Sequence, residues 1–423
     1  MGQIVFQATL GGQTALVGQN TASSYSLNLP LANDTLVGKT TTDTLTNKTI
    51  SGSSNTLSAI GNSSLTNSSL TIGSTAISLG ATATTVSGLT LTSPTINQIN
   101  TSVANTSLGA GNASIMKNRI INGAMYVAQK GTSATITAGA ALNYATVDRF
   151  YGYCTGANVT MAQVAGSGNN RNLLQFTGAA SVTAIGVGQR IEAVNSYDMA
   201  GSTATLSAYI ANSLLTSVTW TAYYANTTDT FGTLASPSRT QIATGTFTVT
   251  STLTQYNAQI SIPSAATTGI EIVFTVGAQT SGTWQLGLVQ LEVGSSATGY
   301  EYRQYGQELA LCQRYYYKTT QPNINNSFGS AFSSTTTVAY STFTFPVTLR
   351  TSPTALEQNG TAANYGVFMG GTGTTCSSVP AFAYSNTDNA LITFTVAAGL
   401  TVGTAGYARG LNTGAYLAWS AEL

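Results

Sequence analysis

Histidine is absent from all 423 residues. With it go the commonest general base, the commonest metal ligand and the usual pH switch, so serine-triad and zinc chemistries of the ordinary kind are excluded. Charge is nearly as scarce: Asp, Glu, Lys and Arg make up 6% of the chain, and the formal net charge is +1. The usual share is about a quarter. The 14 Lys and Arg are scattered, so no basic patch offers footing to a nucleic acid or an anionic membrane, and neither is expected as a partner. Cys154, Cys312 and Cys376 stand far apart without a CxxC spacing, which reads as buried thiols in a reducing compartment rather than a disulfide framework. No apolar run has the length of a membrane span. The segment Met1-Gly-Gln-Ile-Val-Phe-Gln7 lacks the basic and apolar regions of a signal peptide, and Phe6 stands where a myristoylation signal wants Ser or Thr. Synthesis in a cytoplasm without membrane insertion is the expectation.

What is present is β-forming sequence in blocks of different character. Residues 1–39 read as a small β module: Gln3–Gln7, a Gly11-Gly12 turn, Thr14–Val17, then Ser24–Leu29 with a period of two, broken by Pro30. Residues 40–116 are dominated by Ser, Thr, Asn and Gly, with no aromatic residue between Tyr25 and Tyr126. Three segments here, Leu45–Ile50, Leu65–Leu70 and Leu91–Ile96, share the form Leu-Thr-[Asn/Ser]-x-[Ser/Thr]-[Ile/Leu], which suggests an extended repetitive architecture.

Energetics limit that architecture. Ordering the segment at about 1.5 kcal/mol per residue costs on the order of 100 kcal/mol. Its Leu, Ile and Val side chains return about 2 kcal/mol each, roughly 30 in all. A single chain is therefore either a flexible linker here or one of several identical chains wrapped around a common axis.

Aromatic and charged residues return in 117–303. Asn118–Met125, Val147–Phe150, Gly188–Ala193, Ala204–Ile210, Val218–Tyr223, Gly269–Val276 and Trp284–Glu292 read as strands, a density that means a β-sandwich. Trp220, Tyr223, Tyr224 and Trp284 are candidates for a sugar platform, because aromatic faces stack on the apolar faces of pyranose rings. Alternation favours Trp220 and Tyr224 as core and Tyr223 as the exposed ring. Asp148-Arg149, adjacent on an expected strand, point to opposite faces and read as structural. Residues 304–318 read as a helical connector, with Leu309, Cys312 and Tyr316 on one face of a helix over 307–317. Residues 319–423 form a distal β domain with strands at Thr336–Phe345, Ala390–Val396 and Ala415–Leu423. The Gly-rich stretch Asn359–Thr374 reads as a loop presenting Tyr365 and Phe368 as binding residues.

Several of these phrases resemble a known family. Glu301-Tyr-Arg303 with Gly306-Gln-Glu-Leu-Ala-Leu-Cys-Gln-Arg-Tyr-Tyr316 is similar to the segment following the jelly-roll domain in many bacteriophage tail-fibre and related virion proteins. The order Asn-Gly (122–123), Asp-Arg-Phe (148–150), Gln-Arg-Ile-Glu (189–192), Val-Gln-Leu-Glu (289–292) resembles their carbohydrate-binding-like jelly-roll module. Phe345–Thr354 and Trp419–Leu423 resemble their distal domain. The resemblance implies an all-β, elongated homotrimer with an intertwined stalk, docked through its amino-terminal module onto other tail or baseplate proteins of a virion and attaching to a host-surface glycan or protein. A decorative head or collar fibre without receptor binding and a polysaccharide depolymerase tailspike remain the alternatives.

No enzyme is expected. Depolymerisation of a polysaccharide needs two carboxylates held a few ångström apart; Glu192 with Asp198, and Glu301 with Glu308, are merely near in sequence. No catalytic residue, cofactor or metal is assigned.

Overall fold

A computed structural model of the chain describes residues 3–7, 9–17, 22–24, 42, 44–87, 116–139 and 142–423. The chain divides into two compact units, Met1–Thr95 and Ile96–Leu423.

In the first unit, β1 (Gln3–Gln7) and β2 (Gln13–Val17) pair antiparallel, with Ile4 opposite Leu16. Gly11, at φ +83°, takes the left-handed backbone that the turn between them requires. A second hairpin joins β3 (Ser69–Ile72) to β4 (Thr75–Ser78). No residue of this unit whose exposure is described is buried: Ile4, Phe6, Leu10, Leu45, Ile50 and Leu57 all expose more than a third of their surface. The repeat copy at 45–50 is irregular, and the copy at 65–70 runs into β3. Beyond Ser24 the strand expected over 24–29 lies outside the described residues, as does the copy at 91–96.

The second unit opens with a sandwich. In chain order its strands are β5 (Ser133–Ile136), β6 (Tyr151–Thr155), β7 (Val159–Ala165), β8 (Asn172–Thr177), β9 (Ala184–Ile191), β10 (Thr203–Asn212), β11 (Ser217–Ala225), β12 (Arg239–Thr248), β13 (Thr254–Ser261), β14 (Ile270–Val276) and β15 (Thr283–Val293). Six form one sheet, ordered β13-β10-β15-β8-β7-β5, and five the other, ordered β12-β11-β14-β9-β6. Period-two alternation turns Leu206, Ala208 and Ile210 of β10 and Ile270, Ile272 and Phe274 of β14 into one common core.

Two expected strands are absent. Asn118–Met125 is a turn, with Asn122 at φ +61° and Met125 at φ +59°. It runs beside β15, where the Arg119 N–H donates to the Leu291 carbonyl (2.8 Å) and the Val289 N–H to Gly123 (2.9 Å). A Cβ on Gly123 would collide with the Val289 carbonyl, so only glycine permits that approach. Val147–Phe150 is likewise a turn, with Arg149 at φ +74°.

Next comes α1 (Tyr305–Gln313). Its inward positions are Glu308 and Cys312; Leu309 is only half-buried, and Tyr316 belongs to the following strand. A carboxylate can take the inward place because it is satisfied there: Glu308 accepts from the Asn122 N–H and lies 3.4 Å from the Arg303 guanidinium.

The distal strands are β16 (Tyr316–Thr320), β17 (Ser327–Ser333), β18 (Val338–Thr344), β19 (Leu356–Gln358), β20 (Tyr365–Met369), β21 (Thr372–Thr375), β22 (Ala381–Ser385), β23 (Asn389–Thr395), β24 (Ala405–Gly410) and β25 (Tyr416–Ser420). They make a seven-stranded sheet, β21-β20-β24-β17-β18-β23-β22, and a three-stranded one, β16-β25-β19. Trp419, fully enclosed, centres their core; Tyr317 stacks on it at 5.6 Å, and Phe343 and Phe345 each lie 5.3 Å away.

Sandwich and distal domain are joined by a buried polar seam. Glu192, at the end of β9, receives two hydrogen bonds from Arg314 (3.0 Å each) and one from the Tyr315 hydroxyl (3.0 Å). Arg149, 1% exposed, pairs with Glu422 and lies 3.5 Å from the Tyr315 ring centroid. Arg190 donates to the Leu423 carbonyl (2.9 Å), and Arg350 to those of Ala421 and Glu422 (2.7 Å each). Asp148 accepts from the Gln129 backbone and side chain, and that side chain also donates to Tyr316 (2.7 Å). Burial pushes the Asp148 carboxyl up to about 6.

Candidate functional site

Most strands of the sandwich are fixed by their inward residues, which leaves the two outer faces to carry chemistry. On the five-stranded sheet the outward rows can be read from the register. Tyr153, Gly186, Thr275 and Thr219 lie in one row across β6, β9, β14 and β11; Tyr151, Gly188, Val273 and Thr221 lie in the next; Arg190, Glu271 and Tyr223 form a third. Glycines in β9 leave room for flat rings. A Cβ on Gly186 would strike the Tyr153 ring, and one on Gly188 the Tyr151 ring, so both phenols lie across the sheet rather than standing off it. Tyr151 is fully buried, whereas Tyr153 is half-buried.

Beside this platform is a depression of about 630 Å³ whose lining includes Ala184, Thr216, Ser217, Thr219, Thr275 and Gly277. Its rim therefore offers hydroxyls that donate and accept, next to an aromatic face. The third row sets a firm border. Glu271, fully buried, is held by Arg190 (2.8 Å), by Arg239 and by the Tyr151 hydroxyl (2.7 Å). Burial, reinforced by the Glu271 charge, pushes the Tyr151 phenol well up, so it stays a neutral donor. The Arg239 guanidinium lies 4.1 Å from the centroid of the half-buried Tyr223 ring and fixes its orientation.

The residues singled out from sequence scatter. Tyr223 is on this face. Trp220, 6% exposed, faces the core, where Gly245 opposite leaves space for its indole, and Tyr224 packs partly against the same core. Trp284 is fully enclosed and stacks on Phe176 at 5.4 Å, because the two are register partners on the inner face of β15 and β8. It offers no surface to a ligand. Tyr365 is likewise fully buried, its hydroxyl donating to the Tyr416 carbonyl (2.7 Å) and accepting from the Asn359 N–H (3.0 Å). The stretch expected as a loop around it is the hairpin β20–β21. Phe368, on the opposite face of β20, is half-buried, stacks on Tyr407 at 5.3 Å and lies 5.3 Å from the Arg409 guanidinium.

Sequence reasoning missed Tyr153 and its glycine. The signal was there: Tyr151-Gly-Tyr153 and Gly186-Val-Gly188 have matching period-two spacing, but only the pairing of β6 with β9 lays one pair on the other.

The carboxylates near in sequence are committed elsewhere. Glu192 holds the seam, Asp198 pairs with Arg119 (2.5 Å), Glu301 accepts the Asn118 N–H (2.8 Å), and Glu308 meets Asn122 and Arg303. Among the described residues no group of three or more Cys, Asp or Glu could hold a metal ion, and no helix is long and apolar enough to cross a membrane. All three cysteines are buried free thiols.

The class defined by this geometry is an all-β protein built on a two-sheet antiparallel sandwich with tyrosines laid across one outer face. No family model matches the chain, and no curated protein matches it. Among solved structures it is similar to the enzymatically active domain of bacteriophage CBA120 tailspike protein 4, at 15% identity and a TM-score of 0.28 over 42% of this chain and 21% of that one. A CBM4 structure is similar at 15% identity and TM-score 0.28, covering 41% of this chain and 97% of that one. TmCBM61, solved with β-1,4-galactotriose, is similar at 10% and 0.26, covering 42% and 98%. With scores this low the likenesses bear no weight, and the chemistry of the face is read from its own side chains.

Proposed function

We infer that the protein is a non-enzymatic attachment protein of a phage particle, a tail fibre that binds a glycan on the bacterial surface through the outer face of the five-stranded sheet. One observation carries the glycan reading: Tyr153 lies flat over Gly186 in the partly exposed outer row of the sheet, in register with the hydroxyl-bearing Thr275 and Thr219 of the depression. A flat, partly exposed ring excludes water from the apolar face of a pyranose, while neighbouring hydroxyls exchange hydrogen bonds with its equatorial groups. Tyr223 borders the same face, and Phe368 on the distal domain is a further contact. Binding without cleavage fits the nearest carboxylate, since Glu271 is enclosed and already satisfied by three partners. The first unit is the particle-docking module and stalk, in which copies of the chain, three in the family it resembles, cover one another's exposed apolar residues.

The test is binding of the full-length protein to intact cells from a panel of bacterial strains, with purified surface glycans as competitors. Saturable binding removed by one glycan is the expected result. Binding that only protease treatment of the cells abolishes would replace the glycan with a protein receptor. A folded assembly that binds no strain would leave a connecting or decorative role.

A further inference from the structure

The opposite face of the sandwich carries a second groove that the reading above does not use. It measures about 520 Å³ and is lined by Tyr209 of β10, Gln255 and Asn257 of β13, Asn169, and Tyr300 and Tyr302 of the segment after β15, with Leu288 at its floor. A distortion in β15 builds it. Ser207 pairs with Gln290, but Tyr209 pairs with Gly287, so Leu288 and Val289 together face the single residue Ala208. Leu288 is left at φ +43°. This is a β-bulge with a branched residue held in the left-handed region, where bulky side chains are strained and which surrounding structure must enforce. The enforcement comes from the neighbouring turn, which bonds Val289 on both sides: its N–H donates to Gly123 (2.9 Å) and its carbonyl accepts from Asn118 (3.1 Å).

The lining has one consistent chemistry. Tyr300 and Tyr302 meet edge to face at 5.0 Å, and the Tyr302 hydroxyl donates to the Asn169 carbonyl (3.1 Å). That contact holds in place a ring that is 49% exposed. Gln255 and Asn257 are exposed, and no hydrogen bond of their side chains is formed within the chain among the described residues. No charged side chain is itself part of the lining; behind it Glu292, bonded to Thr298, and Lys117, which donates to Thr298 and to the Gly299 carbonyl (2.8 Å), are nearly buried and pair with one another at 3.8 Å. Planar rings beside free amides, without charge, suit a ligand with many hydroxyls and no ionised group.

We propose that this groove is a second glycan site, selective for a neutral oligosaccharide, so that each chain binds sugar on both outer faces of one sandwich. It stands independently of the site at Tyr153. Two attachment points on one rigid body raise the effective concentration of the second once the first is bound, which lets individually weak sugar contacts hold a particle.

The test is titration calorimetry of the full-length protein with cellohexaose, β-1,4-galactohexaose and maltohexaose, and with hexagalacturonate as the charged counterpart. The variants are Tyr153→Ala and, at two exposed positions, the pair Tyr302→Ala with Asn257→Ala; melting curves check that each variant is folded. Two sites per chain are expected for at least one neutral probe. Tyr153→Ala should remove one, the groove pair should weaken the other at least tenfold, and the three changes together should abolish binding. If Tyr153→Ala has no effect while the groove pair abolishes binding, this proposal stands and the site at Tyr153 falls. The proposal is overturned if Tyr153→Ala alone abolishes all binding, if the groove pair changes neither stoichiometry nor affinity, if hexagalacturonate is the ligand the pair loses, or if no neutral probe binds the wild type.

Discussion

The two units use similar residues in opposite ways. Before position 96 no residue whose exposure is described is buried, and Leu10 is fully open to solvent. After it, Thr-rich strands of the same kind enclose two cores, one between the sandwich sheets and one around Trp419. The first unit is richer in Ser and Thr, and its apolar pattern differs as well. The second unit has aromatic and long apolar side chains at every other position of paired strands, whereas beyond its first hairpin the first unit has Leu, Ile and Val mostly separated by polar runs. Apolar area removed from water at about 25 cal/mol per Å² offsets chain entropy only when neighbouring strands supply the covering surface. The first unit shows none of its own among the described residues, and in the reading proposed above copies of the chain supply it.

The largest test of that self-sufficiency is at the seam. Arg149→Ala would leave Glu422, 7% exposed at its side chain, without its counter-charge. A loss of about 3–5 kcal/mol in urea unfolding is expected, as for other buried pairs broken on one side. A loss below about 1 kcal/mol would mean that the distal domain is held by packing alone.

The second prediction concerns pH. Asp148 is raised from 3.8 to about 6 in the folded state, so the native protein binds its proton more tightly than the unfolded chain. The stability it contributes is complete below pH 3.8 and is lost as pH rises through about 6. The difference in unfolding free energy between wild type and Asp148→Asn should therefore change by up to about 3 kcal/mol between pH 4 and pH 7.5, with the wild type losing ground as pH rises. A parallel pair of pH curves would contradict this.

A smaller effect is expected in the first unit. Ile60→Ser, at a residue 47% exposed in the single chain, should alter the unfolding of the second unit by less than about 0.5 kcal/mol. Light scattering should instead report weaker self-association. A chain that is monomeric before and after the change would break the comparison, because those apolar residues would then need no cover.

How much of this was legible depended on whether a feature was local. The strands β14 and β15 are plain in Ile270–Val276 and Trp284–Glu292, since a buried strand announces itself by apolar residues alone. Tyr365 was misplaced because Gly370-Gly371 reads as loop, whereas both residues take positive φ (+54° and +83°) in the two-residue turn of a hairpin. Asp148 and Arg149 read as a strand pair, but Asp148 bonds Gln129 and Arg149 pairs with Glu422, 273 residues away in sequence. Trp284 shows the same limit, since a Trp at the start of a strand is equally at home on either face until its partner Phe176 is known. The face at Tyr153 is the extreme case, because neither its tyrosines nor its glycines mean anything until β6 is laid against β9.

The most direct measurement is therefore made at Tyr153 itself: calorimetric affinity of the full-length protein, Tyr153→Phe and Tyr153→Ala for the glycan that competes its binding to cells. The account predicts that Phe, which keeps the flat ring, stays within about twofold of wild type, and that Ala loses about tenfold or more, the 1–2 kcal/mol of a stacked ring. Equal affinities for all three proteins would contradict it.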